Sequence, residues 1–198
     1  MLLYDNPASG NCYKVRLLLA HLGIPYERRE LSTADRSNRS EVLGGLNPAL
    51  RVPTLVLDDG RPLGESNAIL WYLGDGTRYA PADRYERAQV LQWQFFEQYE
   101  HEPNVAVARH WLRSGRAVEP ARLAARQEAG RRALAAMDKH LAGWEFLVGE
   151  RYSLADISLY AYTHVAGEGG FELARYPAIG AWLARIKGQP GHIPINQG

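Results

Sequence analysis

Pro53-Thr54-Leu55-Val56-Leu57-Asp58-Asp59-Gly60-Arg61-Pro62-Leu63-Gly64-Glu65-Ser66-Asn67 is the stretch that decides the fold. Residues 53–57 predict a strand and Asp58-Asp59-Gly60 a hairpin turn. Residues 61–64 return as an edge strand, where a proline's missing donor is tolerated. Glu65-Ser66-Asn67 opens a helix with Ile69, Leu70 and Leu73 on its buried side. Upstream, Leu2-Leu3-Tyr4 is a short strand ended by the turn cluster Asp5-Asn6-Pro7. Val15, Leu18, Leu19 and Leu22 follow at helical spacing, with Gly23 placed for a left-handed cap and Pro25 beyond it. Residues 24–31 predict a second strand and Ser40–Leu43 a short helix. The order is βαβα, a hairpin, then α. Beyond Gly74-Asp75-Gly76 no strand signal survives. Helices are predicted over 84–102, broken or kinked at Pro103, over 120–141, from Ser153, and over 178–187. The fold class is α/β plus all-α: an α/β domain over 1–75, a linker over 76–83, and an all-helical domain over 84–198.

The totals narrow the function classes. A chain of 198 residues fits one domain or two small ones and buries roughly 70% of its unfolded surface. Its formal net charge of +1 gives no broad basic face for nucleic acid. The single cysteine, Cys12, excludes an intrachain disulfide and a multi-cysteine metal site. No secretory leader pattern opens the chain, and no apolar run approaches the ~20 residues of a membrane span. The expectation is a soluble, cytoplasmic, reduced protein with no metal, no nucleic-acid partner and no membrane anchor.

Three local signals fall where the α/β half would expose them. Residues 7–14, Pro-Ala-Ser-Gly-Asn-Cys-Tyr-Lys, lead from the first strand into the first helix, whose N-terminal amides attract an anion. Simple capping by Ser9 or Asn11 explains the same residues. Arg51-Val52-Pro53 precedes a strand, where a cis peptide would turn the Val52 backbone toward a ligand; an ordinary trans proline at an edge is the plainer account. Glu65-Ser66 opens a helix, so its hydroxyl and amides suit a carboxylate and the Glu65 carboxylate suits an ammonium. Capping again suffices for each residue alone.

Taken in this order and spacing, the constellation resembles the cytosolic glutathione transferase family over essentially the whole chain. The carrying pieces are Ser9 to Arg16, Asn47-Pro48 with Arg51-Val52-Pro53-Thr54-Leu55, Glu65-Ser66-Asn67-Ala68-Ile69, and Ser153-Leu154-Ala155-Asp156 as a buried capping box. The resemblance implies a thioredoxin-like N-terminal domain, an all-helical C-terminal domain, and glutathione as co-substrate with a small electrophile. It also implies a homodimer acting in detoxification. By position, Val52 pairs its backbone with the cysteinyl part of glutathione across a cis bond to Pro53. Glu65 and Ser66 hold the γ-glutamyl ammonium and carboxylate, and Arg51 reaches the glycyl carboxylate. Lys14 reads as an exposed helix residue.

Thiol activation has a definite cost. Lowering a thiol pKa of about 8.5 by two units needs roughly 2.7 kcal/mol of thiolate stabilisation. One charge-assisted hydrogen bond supplies about 1.5–3 kcal/mol and a helix N-terminus about 0.3–1, so one donor at this turn suffices without a general base. The resemblance implies Ser9, at the position of the serine-type hydroxyl, as the first candidate, Asn11 as a second that can share the work, and Cys12 as a third that fits better as a packed thiol. A tyrosine-type mechanism has no residue to carry it, because the expected position is Asp5 and Tyr4 faces the other side of its strand. Three functions stay open: transfer of glutathione to an electrophile, glutathione-dependent disulfide reduction or a maleylacetoacetate-type isomerisation, and a non-catalytic adaptor of the same fold. In the helical half, His101 reads as a solvated residue. Trp93, Phe95 and Phe96 read as core or subunit contacts.

Overall fold

Strand β1 (Leu2–Asp5) forms because a short apolar run can be covered on both faces, and it occupies a central position in the sheet. In this computed structural model, which describes residues 1–32, 35–115 and 117–197, the sheet order is β2-β1-β3-β4. Strand β2 (Glu27–Glu30) runs parallel to β1 after the crossover helix α1 (Gly10–Leu22), while β3 (Thr54–Val56) and β4 (Pro62–Leu63) are antiparallel. Gly23 ends α1 at φ 64°, the left-handed conformation in which a Cβ is costly. Helix α2 (Arg39–Leu43) is short, and α3 (Ser66–Gly74) packs beside α1. The four-stranded sheet and its helices form the thioredoxin-like half of the predicted fold.

Among its described residues the second half has no strand, and its α-helices are α4 (Arg84–Phe96), α5 (Glu102–Ser114), α6 (Pro120–Leu141), α7 (Leu154–Thr163) and α8 (Pro177–Lys187). Every residue of α7 is buried, so it is the core helix of its unit. Its N-terminus carries the predicted reciprocal cap. Ser153 Oγ accepts from the Ala155 amide at 3.3 Å, and Asp156 Oδ2 accepts from the Ser153 amide at 2.9 Å. At Pro103, where a break or a kink is predicted, the chain does not break. A π-turn over Glu97–His101 absorbs the proline, the Glu102 amide donating to the Glu97 carbonyl five residues back, and the helical path continues to Ser114. Asn104 Nδ2 donates to the Glu100 carbonyl at 2.6 Å, so a side chain satisfies that acceptor.

The chain divides into two compact units. One is Met1–Asp75 together with the C-terminal tail from Pro190; the other is Gly76–Gln189. The tail, which the sequence places with the helical domain, therefore belongs to the α/β unit. Tyr13 Oη donates to the Ile193 carbonyl at 2.7 Å and the buried Arg16 guanidinium to the Ile195 carbonyl at 2.8 Å. No described helix is long and apolar enough to cross a membrane.

Candidate functional site

Strand register decides which turns meet. Tyr4 pairs with Thr54, and Leu55 with Leu63, so the end of β1, the start of β3 and the exit of β4 lie at one end of the sheet. The turns at 6–9, 51–53 and 64–66 all leave from that end. The three predicted signals are thereby neighbours in space although they span most of the first 66 residues.

The first turn is pinned by Asn6. Its Oδ1 accepts from the Ala8 amide at 3.1 Å and its Nδ2 donates to the Leu31 carbonyl at 3.0 Å. Ser9 is the N-cap of α1, its Oγ accepting from the Cys12 amide at 3.3 Å. Capping uses a lone pair of that oxygen and leaves the hydroxyl hydrogen to rotate, so capping and donation to a ligand are compatible. Cys12 is fully buried, and burial, reinforced by the nearby Asp5 charge, pushes its thiol pKa up to about 12. Cys12 is thus a packed thiol rather than a nucleophile. Asp5 is buried with Arg28 Nε at 2.5 Å and Arg16 Nη1 at 3.4 Å, and Tyr4 packs against Leu31 and Leu43.

The Val52–Pro53 peptide is cis, as the resemblance implies. Asn47 holds this loop, Nδ2 donating to the Arg51 carbonyl at 3.1 Å and to Thr54 Oγ1 at 2.9 Å. Thr54 Oγ1 donates in turn to the Arg51 carbonyl at 2.8 Å. The Arg51 side chain is exposed, Val52 half-buried and Pro53 buried. The sequence marks Asn47 as a turn residue; its role as the clamp of the loop needs the fold. Gly64 belongs to the same arrangement, since a Cβ there would meet Asn47 Nδ2 at 2.9 Å.

Glu65 precedes α3 at φ 62°, ψ 115°, a left-handed region that non-glycine residues rarely adopt, and its side chain is exposed and caps nothing. Ser66 is buried, and its hydroxyl turns inward and donates to Asn11 Oδ1 at 3.3 Å. The hydroxyl hydrogen is thus committed within the protein, which leaves the first-turn amides of α3 as the groups suited to a carboxylate. Lys14, predicted in solvent, is fully buried, with Nζ donating to Asn11 Oδ1 at 2.8 Å and to Ser66 Oγ at 3.3 Å. The structure brings Asn11 and Ser66 together directly and places Ser9 at the same helix end. Two positive helix ends and a buried ammonium favour an anion, and the exposed Glu65 offers a partner for a cation.

In the helical unit His101 is fully buried rather than solvated. Its Nε2 lies 2.9 Å from Thr163 Oγ1, which itself donates to the Leu159 carbonyl at 2.7 Å. Phe95 and Tyr99 are 68% and 82% exposed, so neither belongs to the core of its unit. Among the described residues, no group of three His, Cys, Asp or Glu side chains is placed to hold a metal ion.

Residues 8–75 match the family model for the glutathione S-transferase N-terminal domain, and residues 95–190 match that for the glutathione S-transferase C-terminal domain. The structure is similar to a glutathione S-transferase from Pseudomonas fluorescens, with a TM-score of 0.95 and 45% identity over 99% of this chain and 98% of that one. The sequence is 28% identical to the disulfide-bond oxidoreductase YfcG of Escherichia coli, covering 95% of this chain and 90% of that protein. It is also 31% identical to elongation factor 1-gamma of Danio rerio, over 95% of this chain but 44% of that longer protein.

Proposed function

The chain belongs to the glutathione S-transferase family, and from that premise we infer that it binds glutathione through its α/β unit and transfers the thiolate to a small electrophile. The observation that carries this reading is the meeting of Asn11 and Ser66, 55 residues apart, at 3.3 Å, with Ser9 at the same helix end as Asn11. In this reading the first-turn amides of α3 take the γ-glutamyl carboxylate, Glu65 the ammonium, the Val52 backbone the cysteinyl unit and Arg51 the glycyl carboxylate. The sulfur lies over the N-terminus of α1, where the Ser9 hydroxyl and the Asn11 amide donate to it and hold it ionised. The thiol proton passes to solvent. Attack of the thiolate forms the carbon–sulfur bond while the bond to the leaving group breaks and that group departs with the electron pair, or, on an activated double bond, the π pair shifts to the far atom and is protonated by solvent. The enzyme supplies position and charge stabilisation and needs no proton acceptor.

Calorimetry with glutathione, followed by thiolate absorbance of the bound peptide in Ser9→Ala and Asn11→Ala, tests this reading. Each substitution should reduce the thiolate fraction several-fold, the pair more. An unchanged thiolate in Ser9→Ala would remove Ser9 from the activation step. Absence of binding heat at millimolar glutathione would favour the adaptor function.

Glutathione-dependent disulfide reduction is the second reading, favoured by the Escherichia coli relative and by the place of Asn11 in the polar cluster. Parallel assays with an aryl halide, hydroxyethyl disulfide and a maleyl keto acid separate transfer, reduction and isomerisation. A homodimer acting in the cytoplasm is part of the proposal. It is supported by the exposed apolar stripe Leu91, Phe95 and Tyr99 along one helical face, and light scattering on the eluted protein measures it.

A further inference from the structure

Lys14 is the one buried lysine at this site, and full burial is rare for that residue type unless its charge is satisfied. Its Nζ lies 2.8 Å from Asn11 Oδ1 and 3.3 Å from Ser66 Oγ, and Ser66 Oγ lies 3.3 Å from Asn11 Oδ1. These three side chains close a triangle that spans the N-terminal ends of α1 and α3. Asn11 Oδ1 and Ser66 Oγ are neutral oxygens. An ammonium carries three N–H donors and no lone pair, so it can face only oxygen. The Asn11 carboxamide is therefore held with Oδ1 inward, and its two-hydrogen edge points away from Lys14.

We propose that Lys14 is a positioning residue for thiol activation. Its buried ammonium sets the flip of the Asn11 amide so that Nδ2 presents donors to the sulfur, and through Ser66 it ties the two anion-attracting helix ends together. The proposal rests on the reading that glutathione occupies this site. A carboxamide with a free choice of flip would offer oxygen to the sulfur part of the time, and an oxygen there repels a thiolate. Lys14 removes that orientation, and its positive charge also raises the acceptor strength demanded of Asn11, which polarises the amide toward stronger donation.

The test follows bound glutathione by thiolate absorbance across pH, with affinity from calorimetry, in wild type, Lys14→Met, Lys14→Arg, Asn11→Ala and the Lys14→Met/Asn11→Ala double variant. Lys14→Met should raise the apparent thiol pKa by about one pH unit, cutting the thiolate roughly tenfold near neutrality, while changing the glutathione affinity less. Lys14→Arg should restore most of the ionisation. In the Asn11→Ala background Lys14→Met should add little, because Lys14 acts through Asn11. A wild-type thiol pKa in Lys14→Met, or an equal further shift in the Asn11→Ala background, overturns the role of Lys14 while leaving glutathione binding intact. Failure of the wild-type protein to bind glutathione overturns both. Should Lys14→Met not fold, Lys14→Gln, which keeps a polar group but no charge and can present either amide edge to Asn11, takes its place: a raised thiol pKa supports the proposal and a wild-type thiol pKa overturns it.

Discussion

Cys12 illustrates how a single side chain acquires its chemistry from its surroundings. Three residues past the N-cap of a helix, a thiol is well placed for ionisation by the dipole, yet full burial and the charge of Asp5 outweigh that pull and push its pKa up to about 12. The unfolded thiol ionises near pH 9, and the native one does not. The native state is therefore the more protonated one above pH 9, so the contribution of Cys12 to stability is full below that pH and falls as pH rises. The expected loss reaches at most about 1.4 kcal/mol per pH unit. Denaturant melts of wild type and Cys12→Ala between pH 8 and about 10.5 should show this extra slope in wild type alone. Native protein should also resist thiol reagents at pH 8 until it unfolds. Lys14 and His101 teach the same lesson: each looks like an ordinary solvated helix residue in the sequence, and each is fully buried. Nothing within four residues of either predicts this, because burial of a polar side chain depends on what lies across from it.

At the scale of elements, the caps and turns were readable and the irregularities were not. Gly23, the Asp58-Asp59-Gly60 turn and the Ser153–Asp156 box all form as their local chemistry dictates. The π-turn before Pro103 did not announce itself, because a proline excludes a regular α-bond but does not say whether the chain breaks or shifts register. Asp156 shows how much one cap can carry. Its carboxylate accepts from the amides of Leu147 and Ser153, the Ser153 hydroxyl and Trp182 Nε1, each at 2.9 Å. Burial raises its pKa and outweighs the lowering by these four donors, so the carboxyl stays above its usual range. Asp156→Ala would strand several buried donors at about 1–3 kcal/mol each before any relaxation. The expected outcome is a destabilisation of about 3 kcal/mol or more, read in urea melts, whereas Ser153→Ala should cost about 1 kcal/mol.

At the scale of the whole molecule, the α/β unit is completed by a segment remote in sequence. The tail from Pro190 accepts hydrogen bonds from Tyr13 Oη and from Nη2 of the buried Arg16, and the Pro190 carbonyl lies 2.9 Å from His21 Nδ1. Removing the tail takes a carbonyl from a buried guanidinium, so deletion from Pro190 onward should weaken the unit by about 2–3 kcal/mol and speed amide exchange along α1. Tyr13→Phe should cost about 1 kcal/mol and preserve the fold. Unchanged exchange in the deletion would show that the tail only decorates the unit.

Hydrophobic period, turn chemistry and capping act over a few residues, so the order of strands and helices, the α/β-then-helical division and the family motifs were settled by the chain's own sequence. How Asn11 and Lys14 meet Ser66 and which unit the tail joins depend on strand register and on contacts between residues about fifty to nearly two hundred positions apart, and the Asn47 clamp, though made over only four and seven positions, forms on the loop that β3 holds in place. Those contacts exist only once the sheet has brought its three turns to one end, because hydrogen bonds and desolvation are decided by neighbours in space and not by neighbours along the chain.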